Sequence, residues 1–311
     1  RLRKLAAGAF KAQRISQLSA HIRGLVDGIV DEFLAGGDVD LKQHVAYPVP
    51  AAVIAEMMGA PVADRDDFRG WSDELALVAF GAGGEERGER HERALRGVRE
   101  MFAYLQGLVD AARANPGTDM ISVLAAPVED GDRLDDQELL SMLALLLFAG
   151  HETTINATTN GTLALLEHPE QLALLREQPE LAPKAVEELL RFDGPIKVLH
   201  RWVLEGLELH GREVRPGDRV FLALAGANRD PEQFADPDRI DITRYPNRHV
   251  AFGRGIHACI GAQLARLEMQ HLIELIATRL PGLRVVPGAE VRHHASLSAR
   301  ALVGLDVEVD R

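Results

Sequence analysis

The sequence feature that most constrains the fold is one long helical segment, residues 135–167. Asp135, with Glu138 three residues later, has the pattern of a capping box, and His168-Pro169 predicts the end of the helix. At about 1.5 Å per residue, such a helix is roughly 50 Å long. Its middle is apolar on nearly all sides, which is typical of a buried helix. The sequence therefore predicts that this helix lies inside the protein.

Shorter periodic segments surround it on both sides along the chain. Helical spacing of apolar residues is found at 10–35, 50–58, 64–80, 88–114, 169–178, 182–192 and 259–280. Strand-like stretches bounded by turn residues lie at 198–209, 219–224 and 301–309. We therefore predict a mainly α fold with a minor β component.

Composition excludes several classes of protein. One cysteine among 311 residues allows no internal disulfide and no cluster of cysteine ligands. A formal net charge of −12 argues against a nucleic-acid binder that relies on phosphate contacts. The longest apolar run, residues 142–149, is too short to cross a membrane, and no signal peptide is visible. We expect a cytoplasmic protein, and the abrupt start at Arg1 suggests a missing N-terminal part.

The single cysteine lies in a glycine-rich loop, Phe-Gly-Arg-Gly-Ile-His-Ala-Cys-Ile-Gly, at residues 252–261. The two glycines before Cys259 allow tight turns and the close approach of a flat ligand. Cys259 also stands where a helix is predicted to begin, and helix N-terminal amides lower the pKa of a thiol. The loop therefore favours a thiolate ligand. The alternatives are an inert buried cysteine and a zinc site built from His249, His257 and Cys259, although this spacing lacks paired short-range ligands.

This loop resembles the haem-binding signature of the cytochrome P450 family at every fixed position. The resemblance implies that Cys259 is the proximal ligand of the iron of haem b (iron protoporphyrin IX). It also implies that His257, the form common in bacterial members, contacts a haem propionate.

Polar residues interrupt the long helix at its centre, in Ala-Gly-His-Glu-Thr-Thr, residues 149–154. Buried carboxylates and hydroxyls are costly unless they are partnered or functional. Gly150 weakens the helix and threonine can bend it, so the pattern indicates either a helix opened locally for a ligand or water, or a buried polar kink. The segment resembles the acid–alcohol motif of the same family, which implies that Glu152 and Thr153 relay protons to iron-bound dioxygen.

Two further groups of residues match the family. Glu188 and Arg191 form an i, i+3 pair of opposite charge; in the family such a pair joins a later arginine in a structural triad, and Arg239 stands where that third member is expected. Arg201 matches the strand arginine that binds a haem propionate, and Arg3 matches a second propionate arginine on an early helix.

The motifs occur in the family's order, so the resemblance covers all of residues 1–311 as one cytochrome P450 domain. By this resemblance, the sequence lacks roughly the first quarter of a family-length chain. The resemblance implies an oxidoreductase, a haem-thiolate monooxygenase that inserts one oxygen atom of O2 into a small organic substrate. Electrons are expected from NAD(P)H through a reductase and a ferredoxin or flavodoxin. The alternatives are a peroxide-driven peroxygenase, which generally lacks the acid–alcohol pair, and a non-catalytic haem-binding fragment or scaffold.

The sequence also suggests where partners bind. Five basic residues and no acid lie between residues 1 and 14, and we predict that an acidic electron carrier docks near Arg1, Lys4, Arg254 and Arg266. By the resemblance, the substrate pocket is lined by residues 143–148, 196–199 and about 296–299. Lys197 in that lining either faces an anionic substrate or points to solvent.

Overall fold

Helix α8 (Asp136–Glu167) runs through the centre of the protein, as the sequence predicts. Both halves of the capping box are present. The Glu138 N–H donates to Asp135 Oδ1 at 2.8 Å, and the Asp135 N–H donates to Glu138 Oε2 at 3.0 Å. The helix stops at His168, immediately before Pro169. Its apolar residues are largely buried, which explains their uninterrupted run.

The computed structural model describes residues 1–37, 39–79, 87–126, 133–280 and 282–310. The helices of these residues, besides α8, are α1 (Leu2–Ala6), α2 (Ala12–Gln17), α3 (Ser19–Gly36), α4 (Pro48–Met58), α5 (Arg65–Ala79), α6 (Arg87–Ala114), α7 (Met120–Ala125), α9 (Pro169–Glu177), α10 (Ala182–Asp193), α11 (Leu224–Ala227) and α12 (Ala262–Arg279).

The described strands form three small antiparallel pairs, β1 with β4, β2 with β3, and β5 with β6. They are β1 (Val198–Trp202), β2 (Leu207–Leu209), β3 (Arg212–Val214), β4 (Arg219–Ala223), β5 (Arg284–Val285) and β6 (Val307–Glu308). In the first pair, Leu199 lies opposite Leu222 and Arg201 opposite Val220. The predicted mainly α fold with a minor β component is confirmed.

Different elements pack on the two halves of α8. Leu139 and Leu143 in its first half share an apolar cluster with Met101 and Leu105 of α6. Its second half packs with α10 and α12 in other clusters, for example through Leu163, which clusters with α12. Each fully buried leucine contributes about 1.5–3 kcal/mol. The second half of α8 is therefore held next to α12, the helix that follows Cys259.

Some element boundaries differ from the sequence prediction. The segment 10–35 forms two helices, α2 and α3, which meet at Leu18. The last helix begins at Ala262 and not at Cys259. Apolar periodicity reports the buried face of a helix but does not report where its first hydrogen bond forms.

Among the described helices, α8 alone is long and apolar enough to cross a membrane by length and composition. Half of its most apolar stretch of 18 residues is buried against other elements. Packing in the core therefore accounts for its apolar character.

Candidate functional site

The loop that carries Cys259 is a tight turn built on two glycines. Gly253 and Gly255 have φ angles of +67° and +68°, in the left-handed region that favours glycine. The Cys259 N–H donates to the carbonyl of Phe252 at 2.8 Å and closes the loop. The local sequence thus requires glycine at both positions, as predicted, and the position of Cys259 depends on that of Phe252.

Cys259 lies on the wall of a cavity bounded by α8, α12 and the segment leading into β1. The space between its walls, including the opening to solvent, is about 1060 Å³. Cys259 is a free cysteine whose surface opens onto this cavity, although surrounding protein atoms shield the sulfur from bulk water. The wall is mostly apolar and includes Phe10, Leu146, Ile196, Leu199, Leu224 and Met269. Mostly apolar walls with one free thiol suit an apolar group that carries a metal for the thiol to ligate.

The electrostatic surroundings of Cys259 differ from the prediction. Burial raises the pKa of the thiol, and the Gly261 N–H and the charges of Arg3 and Arg266 only partly oppose it. The expected lowering depended on a helix starting at Cys259, whereas α12 begins three residues later. A bound metal cation deprotonates a coordinating thiol, so the raised pKa is compatible with a ligand role.

The predicted cofactor-binding residues lie around the same cavity. His257 is exposed on its wall, in the short turn before Cys259. Arg201 lies two residues after Leu199, so the two share one face of β1. Its guanidinium is exposed and donates to the carbonyl of His200 at 2.8 Å. Arg3 is exposed in α1, close enough for its charge to act on Cys259.

Thr153 faces this cavity from α8. Its hydroxyl donates to the carbonyl of Ala149 at 3.0 Å. A side chain at Gly150, which also lines the cavity, would meet Ile54 Cδ1 at 2.9 Å, so glycine lets α8 approach α4 closely. The helix is continuous through residues 149–154, so the local opening we considered is absent from this part of α8.

Glu152 lies on a different, polar cavity. Its Oε1 accepts a hydrogen bond from Asn156 Nδ2 at 2.8 Å. The wall carries four further ionisable residues that were not predicted from the sequence, Lys42, Arg69, Asp73 and His294. Nothing in their sequence pattern sets them apart from a solvated helix face.

The charges of this polar cavity influence one another. Burial, assisted by the charge of Glu152, raises the pKa of Asp73. Burial lowers the pKa of Lys42, against the attraction of Glu152 and Asp73. In the predicted pair, the acid Glu152 therefore faces the polar cavity, whereas the alcohol Thr153 faces the apolar cavity. The two cavities lie on either side of one turn of α8.

A second carboxyl beside the apolar cavity was also missed. Glu268 on α12 is fully buried, and its carboxyl oxygens have no hydrogen-bond partner at ordinary distance. Burial raises its pKa to about 8, although the nearby Thr154 hydroxyl acts in the opposite direction. Its signal in the sequence is a glutamate on an otherwise apolar helix face.

The zinc alternative finds no support in the described residues, where no three or more His, Cys, Asp or Glu side chains are grouped to hold a metal ion. His249 instead bonds Glu187, with 2.9 Å between Nε2 and Oε2.

The structural triad is present, but its third member was predicted wrongly. Arg191 Nε and Nη2 donate to the two oxygens of Glu188 at 2.7 and 2.8 Å, and both side chains are fully buried. The third arginine is Arg244, whose Nε lies 3.1 Å from both oxygens. Arg239 contributes only its backbone carbonyl, which accepts from Arg191 and Arg244, and Asn247 adds a further hydrogen bond to Glu188.

Basic residues of the predicted docking patch are partly engaged. Arg1 forms an ion pair with Glu138, and Arg266 forms one with Glu187. Arg254 is exposed beside Cys259. Lys197 is half-buried, and its ammonium donates to the carbonyl of Ser296 at 2.7 Å.

The predicted substrate lining is divided between the two cavities. Leu146, Ile196 and Leu199 line the cavity of Cys259, whereas Ser296 and Ala299 line the polar cavity of Glu152.

Comparison with known proteins identifies relatives along the whole chain. The family model described as Cytochrome P450 matches residues 89–280. Cytochrome P450 107B1 of Saccharopolyspora erythraea is 41% identical over 309 residues, which cover 99% of this chain and 74% of that protein. Cytochrome P450 monooxygenase PikC of Streptomyces venezuelae is 43% identical over 294 residues, covering 93% of this chain and 68% of PikC.

Solved structures agree with these sequence matches. The crystal structure of P450BioI in complex with an acyl carrier protein ligated to hexadec-9Z-enoic acid superimposes with a TM-score of 0.92 at 37% identity. The match covers 100% of this chain and 79% of that one. This chain therefore spans roughly three quarters of the length of these relatives.

Proposed function

This chain belongs to the cytochrome P450 family of monooxygenases, and we propose that it inserts one oxygen atom of O2 into a small organic substrate with haem b as cofactor. The observation that carries the proposal is the apolar cavity with the free thiol of Cys259 and the Thr153 hydroxyl on its walls. Neither a structural cysteine nor a zinc site accounts for both features.

In this proposal four residues hold the haem. Cys259 ligates the iron, and Arg201, His257 and Arg3 pair with the propionates. Exposed guanidinium groups suit carboxylates because they can donate two parallel hydrogen bonds. When bound, the haem supplies the oxidising chemistry, and its thiolate ligand favours cleavage of the O–O bond.

The protein's own chemical task is to deliver protons into an apolar cavity. Glu152 faces the polar cavity, where ionisable neighbours and access to solvent can replace a proton that it gives up. Thr153 faces the apolar cavity and can exchange its bond to the Ala149 carbonyl for one to a group inside it. We assign Glu152 to carry protons from the polar side and Thr153 to pass them on, a role for which positioned acid–base groups contribute about 10²–10⁴-fold in rate.

Electrons are proposed to come from NAD(P)H through a reductase and a ferredoxin or flavodoxin, with the protein in the bacterial cytoplasm. The mainly apolar wall of the cavity favours a hydrophobic substrate, since only a few polar groups are available to orient it.

The test is the visible spectrum of the haem-loaded, dithionite-reduced protein under carbon monoxide. We expect the red-shifted Soret band that gives the family its name in the unaltered protein. Cys259→Ser should lose this band, since an alcohol is a poor iron ligand, and the loss identifies the thiolate. A variant that keeps the band, or unaltered protein that never shows it, would contradict the proposal.

A second experiment separates the monooxygenase from a peroxygenase. NAD(P)H- and O2-dependent product formation with surrogate electron carriers is expected, whereas product formation with peroxide but not with the carriers would favour the peroxygenase.

A further inference from the structure

Three side chains from separate segments meet behind the Cys259 loop. They are Glu187 on α10, His249 just before the loop, and Arg266 on α12. Arg266 Nε and Nη2 donate to the two oxygens of Glu187 at 2.6 and 3.0 Å. His249 bonds the same carboxylate, with 2.9 Å between Nε2 and Oε2.

The Arg266 guanidinium also packs on Phe252, with its carbon 4.5 Å from the centre of the ring. Phe252 in turn accepts the closing hydrogen bond of the loop from the Cys259 N–H. Residues 254–257 of the loop are exposed and receive little support from the protein. The contacts of Phe252 therefore link Cys259 to the helices behind it, in addition to the short connection into α12.

His249 fixes the chain just before the loop. Its Nδ1 accepts a hydrogen bond from the Ala251 N–H at 3.1 Å, so this nitrogen carries no proton. The proton is on Nε2, which donates to Glu187. The His249 side chain is 3% exposed, so both its tautomer and its ring orientation are set by these two bonds.

The carboxylate that joins these contacts stays charged. Burial acts to raise the pKa of Glu187, but the hydrogen bonds from His249 and Arg266 outweigh it and hold the pKa at about 2. At neutral pH the pair with Arg266 is fully ionised, and charged bidentate pairs are among the stronger and more directional contacts in proteins.

We propose that Glu187, His249 and Arg266 are positioning residues that hold Phe252, and through it Cys259, in place for iron ligation. The inference rests on the proposed function, because it concerns the ligand of the haem. Arg266 then serves the loop and not the docking of an electron carrier.

The test compares two arginine-to-lysine variants of the haem-loaded protein. Arg266→Lys keeps the charge but loses the planar fork and the stacking on Phe252. The matched control is Arg93→Lys, because Arg93 makes a similar bidentate pair with Glu74 between α5 and α6, two helices that do not carry the Cys259 loop. The exposures of the two pairs are nearly equal, 34% and 26% against 36% and 28%.

Residues that orient metal ligands typically change metal affinity about 10–100-fold when they are altered. We therefore expect the red-shifted carbon monoxide band of Arg266→Lys to decay about tenfold faster in moderate urea, with a shift in the reduction potential of the iron. Arg93→Lys should change neither the decay rate of the band nor the reduction potential. This should hold even if its thermal unfolding midpoint falls as much as that of Arg266→Lys. Glu187→Gln, a milder change, should follow Arg266→Lys.

Equal band lifetimes and equal potentials in the Arg266 and Arg93 variants would overturn the inference while leaving the proposed function intact. Unaltered protein without the red-shifted band would overturn the proposed function, and the positioning role with it. A positioning role also predicts that Arg266→Lys and Glu187→Gln combined cost no more than the worse of the two, because both break the same contact.

Discussion

At the scale of single residues, the most unusual group is the buried carboxyl of Glu268. It lies on α12 without a partner for its oxygens and has a pKa of about 8, against about 4.5 for an exposed glutamate. Above pH 4.5 the unfolded chain releases this proton, whereas the folded protein retains it until about pH 8. The contribution of Glu268 to stability therefore falls as the pH rises through this window, by ~5 kcal/mol at most.

Glu268→Gln should remove this dependence, since an amide is neutral at every pH. We expect the variant to gain stability relative to the unaltered protein as the pH is raised from about 5 to about 8, as measured by urea unfolding. The exposed Glu177→Gln controls for the loss of one negative charge. A stability difference between Glu268→Gln and the unaltered protein that stays constant over this range would show that Glu268 is charged in the folded state.

The arginine cluster around Glu188 gives a second prediction at this scale. Arg244→Ala removes hydrogen bonds to a fully buried carboxylate and should cost about 1.5–3 kcal/mol of unfolding free energy. Arg239→Ala should change stability by no more than about 0.5 kcal/mol, because only the backbone carbonyl of residue 239 takes part. Denaturant unfolding of the two variants decides between the arginines, and a larger loss for Arg239→Ala would restore the sequence-based assignment.

At the scale of elements, the geometry at the end of α10 depends on one glycine. The chain turns from helix to extended backbone at Gly194. A Cβ there would lie 2.6 Å from the carbonyl oxygen of Leu190, and a backbone atom cannot move aside cheaply. Gly194→Ala should therefore cost about 1–3 kcal/mol.

The control for this change is Gly107→Ala in α6, an exposed helical position where a new Cβ would meet nothing within 4 Å. It should stabilise the protein by about 0.5–1 kcal/mol, because alanine loses less backbone entropy than glycine on folding. Thermal unfolding of both variants checks that Gly194→Ala lowers the unfolding midpoint and that Gly107→Ala raises it. Stabilisation by Gly194→Ala would mean that α10 can shift to admit the methyl group.

The elements also mark the limit of sequence-based prediction for this chain. Periodicity and capping predicted α8 and its two ends, because those signals are local. The same reasoning placed the third arginine at residue 239 instead of 244, because the two lie in one irregular segment where no period fixes which side chain turns inward. The division of Glu152 and Thr153 between two cavities likewise depends on packing by distant segments around α8.

At the scale of the whole molecule, charge is distributed unevenly. The chain carries a net charge of −12, yet its first 14 residues contain five bases and no acid, and one of these bases, Arg3, influences the pKa of Cys259. An acidic electron carrier would be repelled by most of the surface and attracted to the side of Cys259. Such an asymmetry orients an encounter and raises its rate more than its final affinity.

Arg254 tests this picture because it is exposed in the Cys259 loop. Arg254→Glu should slow electron transfer from a reduced acidic ferredoxin to the haem-loaded protein by about 3–10-fold at low ionic strength. The effect should fade at about 1 M salt, where charges are screened beyond about 3 Å. Stopped-flow reduction under carbon monoxide measures the rate directly.

The control is Arg99→Glu, which makes the same change in net charge on the exposed face of α6. That helix packs on the first half of α8, and among the described residues it shares no apolar cluster with α12. If both variants slow electron transfer equally, the carrier responds to the overall charge of the protein. If only Arg254→Glu does so, and only at low salt, the carrier docks on the Cys259 side.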